Sequence, residues 1–175
     1  SEKEKVEKVV DEVRRRLEDL LRRNRESVRR SDEELKRLLK RNKEVSDEIR
    51  KRLRRELDKK DEVVRELEKR LEESNREVEK LIRDVVRKSE DSNRRVEKLV
   101  RDLLRRLEDI LRLVEAGADV KTVLREIREL LKEAEERVKK SIKENEDLLD
   151  DVRRKVEEST ERVERELERV SREAT

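Results

Sequence analysis

Two neighbouring segments, SNREVEKLIRDVVRKSED at residues 74–91 and SNRRVEKLVRDLLRRLED at residues 92–109, are identical at twelve of eighteen positions. Eighteen residues make roughly five turns of an α-helix. A seven-residue repeat drifts around a straight helix and imposes a left-handed supercoil, whereas an eighteen-residue repeat returns its apolar residues to the same face. The repeat therefore predicts helices that are long and nearly untwisted.

The composition also favours long helices. The chain has 175 residues, 59% of them charged and 30% hydrophobic, with one Gly and no Pro, Cys, His, Met or aromatic residue. Disordered chains can be as highly charged, but they lack regular apolar spacing. Here the residues of one face recur at steps of three and four, as at Leu35, Leu38, Asn42, Val45 and Ile49. This spacing is typical of amphipathic helices and predicts an all-α fold.

The missing residue types argue against catalysis. Without Cys or His, the usual ligands of zinc, haem and iron are lacking. Carboxylates are abundant, for example at Glu133 and Asp150, but they fall off the apolar stripe, where they are solvated. General acid–base chemistry needs a carboxylate in a desolvated cleft. We therefore expect no enzymatic activity, no cofactor and no metal site.

Charge and hydropathy argue against nucleic-acid and membrane partners. The net charge is only +3, acidic residues interrupt the basic clusters, and no aromatic side chain is present to stack on bases. No apolar run approaches the length of a membrane span. The first residues, SEKEKVEKVV, lack the apolar core of a signal peptide, so the sequence assigns no compartment. We expect a soluble protein.

Two breaks divide the chain into three helices. In EAGADVKTV, residues 115–123, Gly117 can close one helix and Asp119 can cap the next by accepting bonds from its free backbone amides. In LDKKDEVV, residues 57–64, Asp61 can cap a second start. The sequence predicts helices at about 2–57, 62–115 and 119–175, forming one antiparallel, up-down-up three-helix bundle over residues 1–175. A continuous helix through residues 58–61 remains the alternative.

Uncharged polar residues interrupt the apolar stripe of every helix. Folding the chain at 58–61 and at Gly117 brings these residues to two shared heights. Eight of them form what we name the first polar layer: Asn24, Ser27, Ser31, Ser89, Ser92, Asn93, Ser141 and Asn145. Six form the second polar layer: Asn42, Ser46, Ser74, Asn75, Ser159 and Thr160.

The predicted register also places residues of neighbouring helices at the same height. It places Asn24 level with Arg95, Asn93 opposite Ser141, and Ser89 opposite Asn145. It also places Asn75 and Ser74 opposite Ser159 and Thr160. Burying amides and hydroxyls that hydrogen-bond to one another costs little free energy, whereas each one buried without a partner costs about 1–3 kcal/mol. The layers should therefore specify the helix register.

The restricted alphabet, the internal repeat, the similar helix lengths and the matched Ser and Asn layers resemble de novo designed, straight three-helix bundles with buried hydrogen-bond networks. The resemblance covers the whole chain but rests on pattern, so it transfers no functional residue. It implies a structural scaffold of very high thermal stability, needing no partner, monomeric and produced in a bacterial cytoplasm. The alternative is a helical interaction module: a hetero-oligomer precursor, or a dimer that exchanges helices through an opened 58–61 turn.

Overall fold

The computed structural model describes residues 1–56 and 62–174, with the backbone alone at residue 174. It confirms the all-α three-helix bundle, with α1 at Glu2–Glu56, α2 at Glu62–Glu115 and α3 at Val120–Ala174. These bounds agree with the predicted ones to within one residue. The predicted turn at 58–61, residue 57 and residue 175 lie outside the described residues.

The connection between α2 and α3 shows why both helices end where they do. Gly117 has a φ of 96°, the left-handed conformation expected of it. Its amide donates to the Val114 carbonyl (3.1 Å), and the Ala118 amide donates to the Leu113 carbonyl (3.0 Å). These two bonds form a Schellman motif, which satisfies carbonyls that the helix end would leave open.

Asp119 caps α3, so the helix begins one residue later than predicted. Its backbone carbonyl accepts the first helical bond, from the Val123 amide at 3.1 Å. Its carboxylate accepts a hydrogen bond from the Thr122 hydroxyl at 2.9 Å, where we expected a backbone amide as the donor. The hydroxyl holds the carboxylate beside the first turn, near the positive end of the helix dipole.

The chain forms two compact units, each containing part of all three helices. The first compact unit comprises Ser1–Arg30 and Lys88–Asn145. Each helix contributes five side chains to its core, at steps of three and four. The fifteen buried residues are Val6, Val10, Val13, Leu17, Leu20, Val96, Val100, Leu103, Leu107, Ile110, Val123, Ile127, Leu130, Ala134 and Val138. Each large aliphatic side chain buried here contributes about 1.5–3 kcal/mol, and this burial holds the unit together.

The second compact unit comprises Ser31–Arg87 and Glu146–Thr175, and its apolar core is divided in two. One cluster contains Ile49, Leu53, Val64, Leu67, Leu71, Leu167 and Val170. The other contains Leu35, Val78, Ile82, Val85, Leu149, Val152 and Val156. On every helix of this unit, the residues of the second polar layer lie between the two clusters.

Charged residues cover the outer faces of the helices. Many pair with a neighbour three or four residues away, such as Arg154 with Asp151 (2.8 Å) and Arg70 with Glu66 (3.2 Å). Each such pair stabilises a helix by about 0.2–0.5 kcal/mol. Over its described residues, none of the three helices contains a stretch apolar enough to cross a membrane.

Candidate functional site: the buried polar layers

All fourteen residues of the two polar layers lie at buried or half-buried positions. The buried members are Asn24, Ser31, Asn42, Ser46, Ser89, Ser141, Asn145 and Ser159. The half-buried members are Ser27, Ser74, Asn75, Ser92, Asn93 and Thr160. Ser31 belongs to the second compact unit, and the other seven members of the first polar layer belong to the first.

In the second polar layer, Asn75 of α2 joins two residues of α1. Its Oδ1 accepts a hydrogen bond from Asn42 Nδ2 at 3.1 Å and another from Ser46 Oγ at 2.7 Å. The preceding residue, Ser74, shares a hydrogen bond between hydroxyls with Ser159 of α3. One Ser-Asn pair on α2 therefore holds both neighbouring helices.

The first polar layer repeats this arrangement within the first compact unit. Asn24 Nδ2 of α1 donates to Asn93 Oδ1 of α2 at 2.7 Å. The hydroxyls of Ser92 on α2 and Ser141 on α3 are 2.8 Å apart and hydrogen-bonded. Again the Asn of a Ser-Asn pair bonds to α1 and the Ser bonds to α3.

These contacts correct several predicted pairings. Ser141 pairs with Ser92 and not with Asn93, and Ser159 pairs with Ser74 and not with Asn75. The physical reason is the angle of about 100° between consecutive side chains around a helix. Where three helices meet, that angle makes the Asn of each pair on α2 face α1 and the Ser before it face α3. Sequence reasoning matched heights along the axis but did not include this rotation.

Asn24 bonds to Asn93, whereas the predicted register placed it level with Arg95, two residues further along α2. A shift of two residues is about 3 Å along the axis. This is within the reach of an Asn side chain, so a rule based on height alone cannot resolve it.

Not every layer residue bonds to another helix. The Thr160 hydroxyl donates to the Val156 carbonyl of its own helix at 3.0 Å and not to Ser74 of α2, opposite which the predicted register placed it. In the first polar layer, Asn24 Oδ1, Ser89 Oγ and both polar atoms of the Asn145 amide are buried without a hydrogen-bond partner among the described residues. Ser89 and Asn145, which the predicted register placed opposite one another, are therefore not bonded to each other.

Ion pairs at the edges of the helix contacts were not predicted. In the first compact unit, Arg25 Nε donates to Glu97 Oε1 at 2.9 Å, joining α1 to α2. In the second, Arg153 pairs with Glu34, joining α3 to α1. The only signal for them in the sequence is their position beside the apolar stripe, which many other charged residues share. Exposed pairs of this kind contribute about 0–1 kcal/mol each.

The layers offer hydrogen-bonding groups and no titratable ones, because Ser, Thr and Asn stay neutral across the accessible pH range. The one resolved change in acidity lies on the outer surface. There, a hydrogen bond from the Lys155 ammonium, with a smaller effect from Arg154, lowers the pKa of Asp151 below its ordinary value of 3.8. Among the described residues, no three His, Cys, Asp or Glu side chains gather in a way that could hold a metal ion.

Comparisons of the chain with protein-family models, with curated proteins and with solved structures found no match.

Proposed function

We propose that the chain is a structural scaffold of designed origin, without a ligand or a catalytic activity, whose polar layers specify the register of its three helices. The observation that supports this most directly is the set of side-chain hydrogen bonds in both compact units. In each unit these bonds join α1 to α2 and α2 to α3.

Apolar contacts alone discriminate weakly between registers in a chain of this kind. A slip by one turn sets one aliphatic side chain in the place of another at many inward positions, and exchanges that conserve volume usually cost less than about 1.5 kcal/mol each. The same slip in the second compact unit separates Asn75 from Asn42 and Ser46 and sets amides against aliphatic side chains. Each buried polar group left unpaired costs about 1–3 kcal/mol, so the polar layer adds a penalty to every register except the native one.

The proposed origin rests on the sequence pattern. The eighteen-residue repeat, the lack of aromatic residues and the use of the same Ser-Asn pair at both layers fit a chain built from a regular geometric plan. The scaffold is expected to remain folded at temperatures that unfold ordinary domains of its size, above about 90 °C.

A variant without the second polar layer tests the proposed role. It carries five substitutions: Asn42→Leu, Ser46→Ala, Ser74→Ala, Asn75→Leu and Ser159→Ala. One spin label is placed on the outer face of α1 and one on that of α2, both within the second compact unit. Electron spin resonance then reports the distance between the labels.

We expect a single narrow distance distribution in the parent chain and a broad or multiple distribution in the variant, with helicity unchanged by circular dichroism. Replacing both partners of each bond leaves no buried group stranded, so the variant should still fold. A variant that gives the same single narrow distance as the parent would show that the layer does not specify register.

We also propose that the scaffold is monomeric. Light scattering during size-exclusion chromatography should give a mass of 21.4 kDa, that of one chain. A particle of twice this mass would support the alternative, an interaction module that exchanges helices between two copies.

A further inference from the structure

Three buried polar side chains of the first polar layer, one from each helix, have hydrogen-bonding atoms that no described residue satisfies. They are Asn24 of α1, Ser89 of α2 and Asn145 of α3, with exposed fractions of 0%, 1% and 2%. All three belong to the first compact unit. Each unsatisfied buried group costs about 1–3 kcal/mol, so the set calls for a further partner.

The hydrogen bonds of the layer place these three inward-facing groups within about one helical turn of one another along the axis. Ser92 and Ser141 are bonded across α2 and α3, which fixes the register of these two helices. Ser89 precedes Ser92 by three residues, and Asn145 follows Ser141 by four. Because the helices are antiparallel here, both residues lie about 4.5–6 Å from that bond in the same direction. Ser89 and Asn145 therefore share a height, about one turn from Asn24.

The unsatisfied atoms are complementary to water. Asn24 already donates through Nδ2 to Asn93, so its Oδ1 remains as an acceptor. Ser89 offers one donor and one acceptor, and the Asn145 amide offers both. A water molecule donates two hydrogen bonds and accepts two, and it can bridge groups roughly 5–6 Å apart. Reversing the Asn24 and Asn93 amides together would keep their hydrogen bond and would only exchange an unsatisfied acceptor on Asn24 for an unsatisfied donor.

A groove with a volume of about 370 Å³ runs between α2 and α3 in the first compact unit. Ser92 and Ser141 are part of its lining, whereas Asn24, Ser89 and Asn145 are not. Buried waters commonly make about three hydrogen bonds to polar groups that the protein leaves open. We infer that the first polar layer binds at least one internal water molecule, held between Asn24, Ser89 and Asn145.

The second polar layer serves as an internal reference. Its buried members Asn42, Ser46 and Ser159 each make a hydrogen bond to α2. The inferred water does not depend on the proposed scaffold role, because water can occupy the first polar layer whether or not the layers specify register.

Nuclear magnetic resonance on the full chain, with the Asn side chains labelled with nitrogen-15, tests the inference. We expect cross-relaxation peaks between water and the side-chain amide protons of Asn24 and Asn145, with the sign of a long-lived contact. The Asn42 amide should give much weaker peaks. The inference is overturned if Asn145 gives no such peak, or if Asn42 gives peaks of equal intensity, which would indicate ordinary surface hydration.

Two variants then test the assigned residues. The double variant Ser89→Ala, Asn145→Leu should reduce the water peak at Asn24 several-fold, because two of the three binding groups are gone. Ser92→Ala is the matched control: it removes a hydroxyl whose partner is Ser141 and should leave the peak at Asn145 in place. An unchanged Asn24 peak in the double variant would exclude a water shared by three helices. The measurement on the parent chain decides the question even if a variant does not fold.

Discussion

Replacing Asn75 by Leu should destabilise the protein clearly more than the equivalent substitution of Asn93. Asn75 Oδ1 accepts bonds from Asn42 Nδ2 and Ser46 Oγ, two donors on side chains that are 8% and 4% exposed. Asn93 Oδ1 accepts one bond, from the buried Asn24 Nδ2. Asn75 and Asn93 are both half-buried and each follows a Ser at the same position of the eighteen-residue repeat.

The magnitude follows from the number of stranded donors. Each buried donor without a partner costs about 1–3 kcal/mol, giving about 2–6 kcal/mol for Asn75→Leu and about 1–3 kcal/mol for Asn93→Leu. Half-burial of the new Leu side chain returns about 1 kcal/mol in both variants. The net loss of unfolding free energy should be about 1–5 kcal/mol for Asn75→Leu and about 0–2 kcal/mol for Asn93→Leu.

Guanidinium chloride unfolding, followed by circular dichroism at 222 nm, measures this difference through the transition midpoint at constant slope. Adding Asn42→Leu and Ser46→Ala to Asn75→Leu should recover most of the loss, because the stranded donors are then removed as well. The reasoning is refuted if Asn75→Leu costs no more than Asn93→Leu, or if the additional substitutions recover nothing.

Three further predictions concern the loop, the core and the surface. Gly117→Ala should cost about 1 kcal/mol of unfolding free energy, because a φ of 96° strains an L-residue while an added Cβ would meet nothing within 4 Å; calorimetry of the two proteins checks this. Leu17→Ala, at a residue that is 0% exposed, should lower the free energy of unfolding by about 2–5 kcal/mol. Leu113→Ala, at a residue that is 51% exposed, should lower it by less than about 0.5 kcal/mol. Denaturant unfolding measures both, and similar values would contradict the assigned core. Lys155→Met should raise the pKa of Asp151 toward 3.8 in a carboxyl titration by nuclear magnetic resonance, and an unchanged pKa would show that Lys155 is not its main cause. Because the folded-state pKa is the lower one, the contribution of Asp151 to stability is present above its unfolded pKa and is lost as pH falls through the folded one.

Much of the fold could be predicted because a few residues determine it. Gly117 is the only Gly in a chain without Pro, so the end of α2 followed from a single position. The apolar steps of three and four marked the inward faces, and the eighteen-residue repeat set the shared heights of the polar residues. These signals are local or periodic, and both kinds can be read from one sequence.

The partners within each layer could not be predicted, because they depend on rotation as well as height. Heights alone matched Asn93 with Ser141 and Ser89 with Asn145, and neither pair is bonded in the structure. The choice between neighbours of similar height depends on how far each helix turns about its axis, and side-chain packing determines this turn. The intrahelical bond of Thr160 likewise follows from a side-chain conformation that the sequence does not encode at short range.

The difference between the two layers shows what an apolar core can tolerate. The second polar layer satisfies its buried donors with a single acceptor, Asn75 Oδ1, and a pair of hydroxyls. The first polar layer contains more polar groups than its internal bonds can satisfy, and the surplus lies at Asn24, Ser89 and Asn145. Each of these unsatisfied groups costs about 1–3 kcal/mol, which would offset the burial of one large aliphatic side chain in the adjacent core. A hydrogen bond to water would remove this cost. The proposed register role and stability are therefore separate demands on the first polar layer, and the inferred hydration is the physical means by which the layer would meet both.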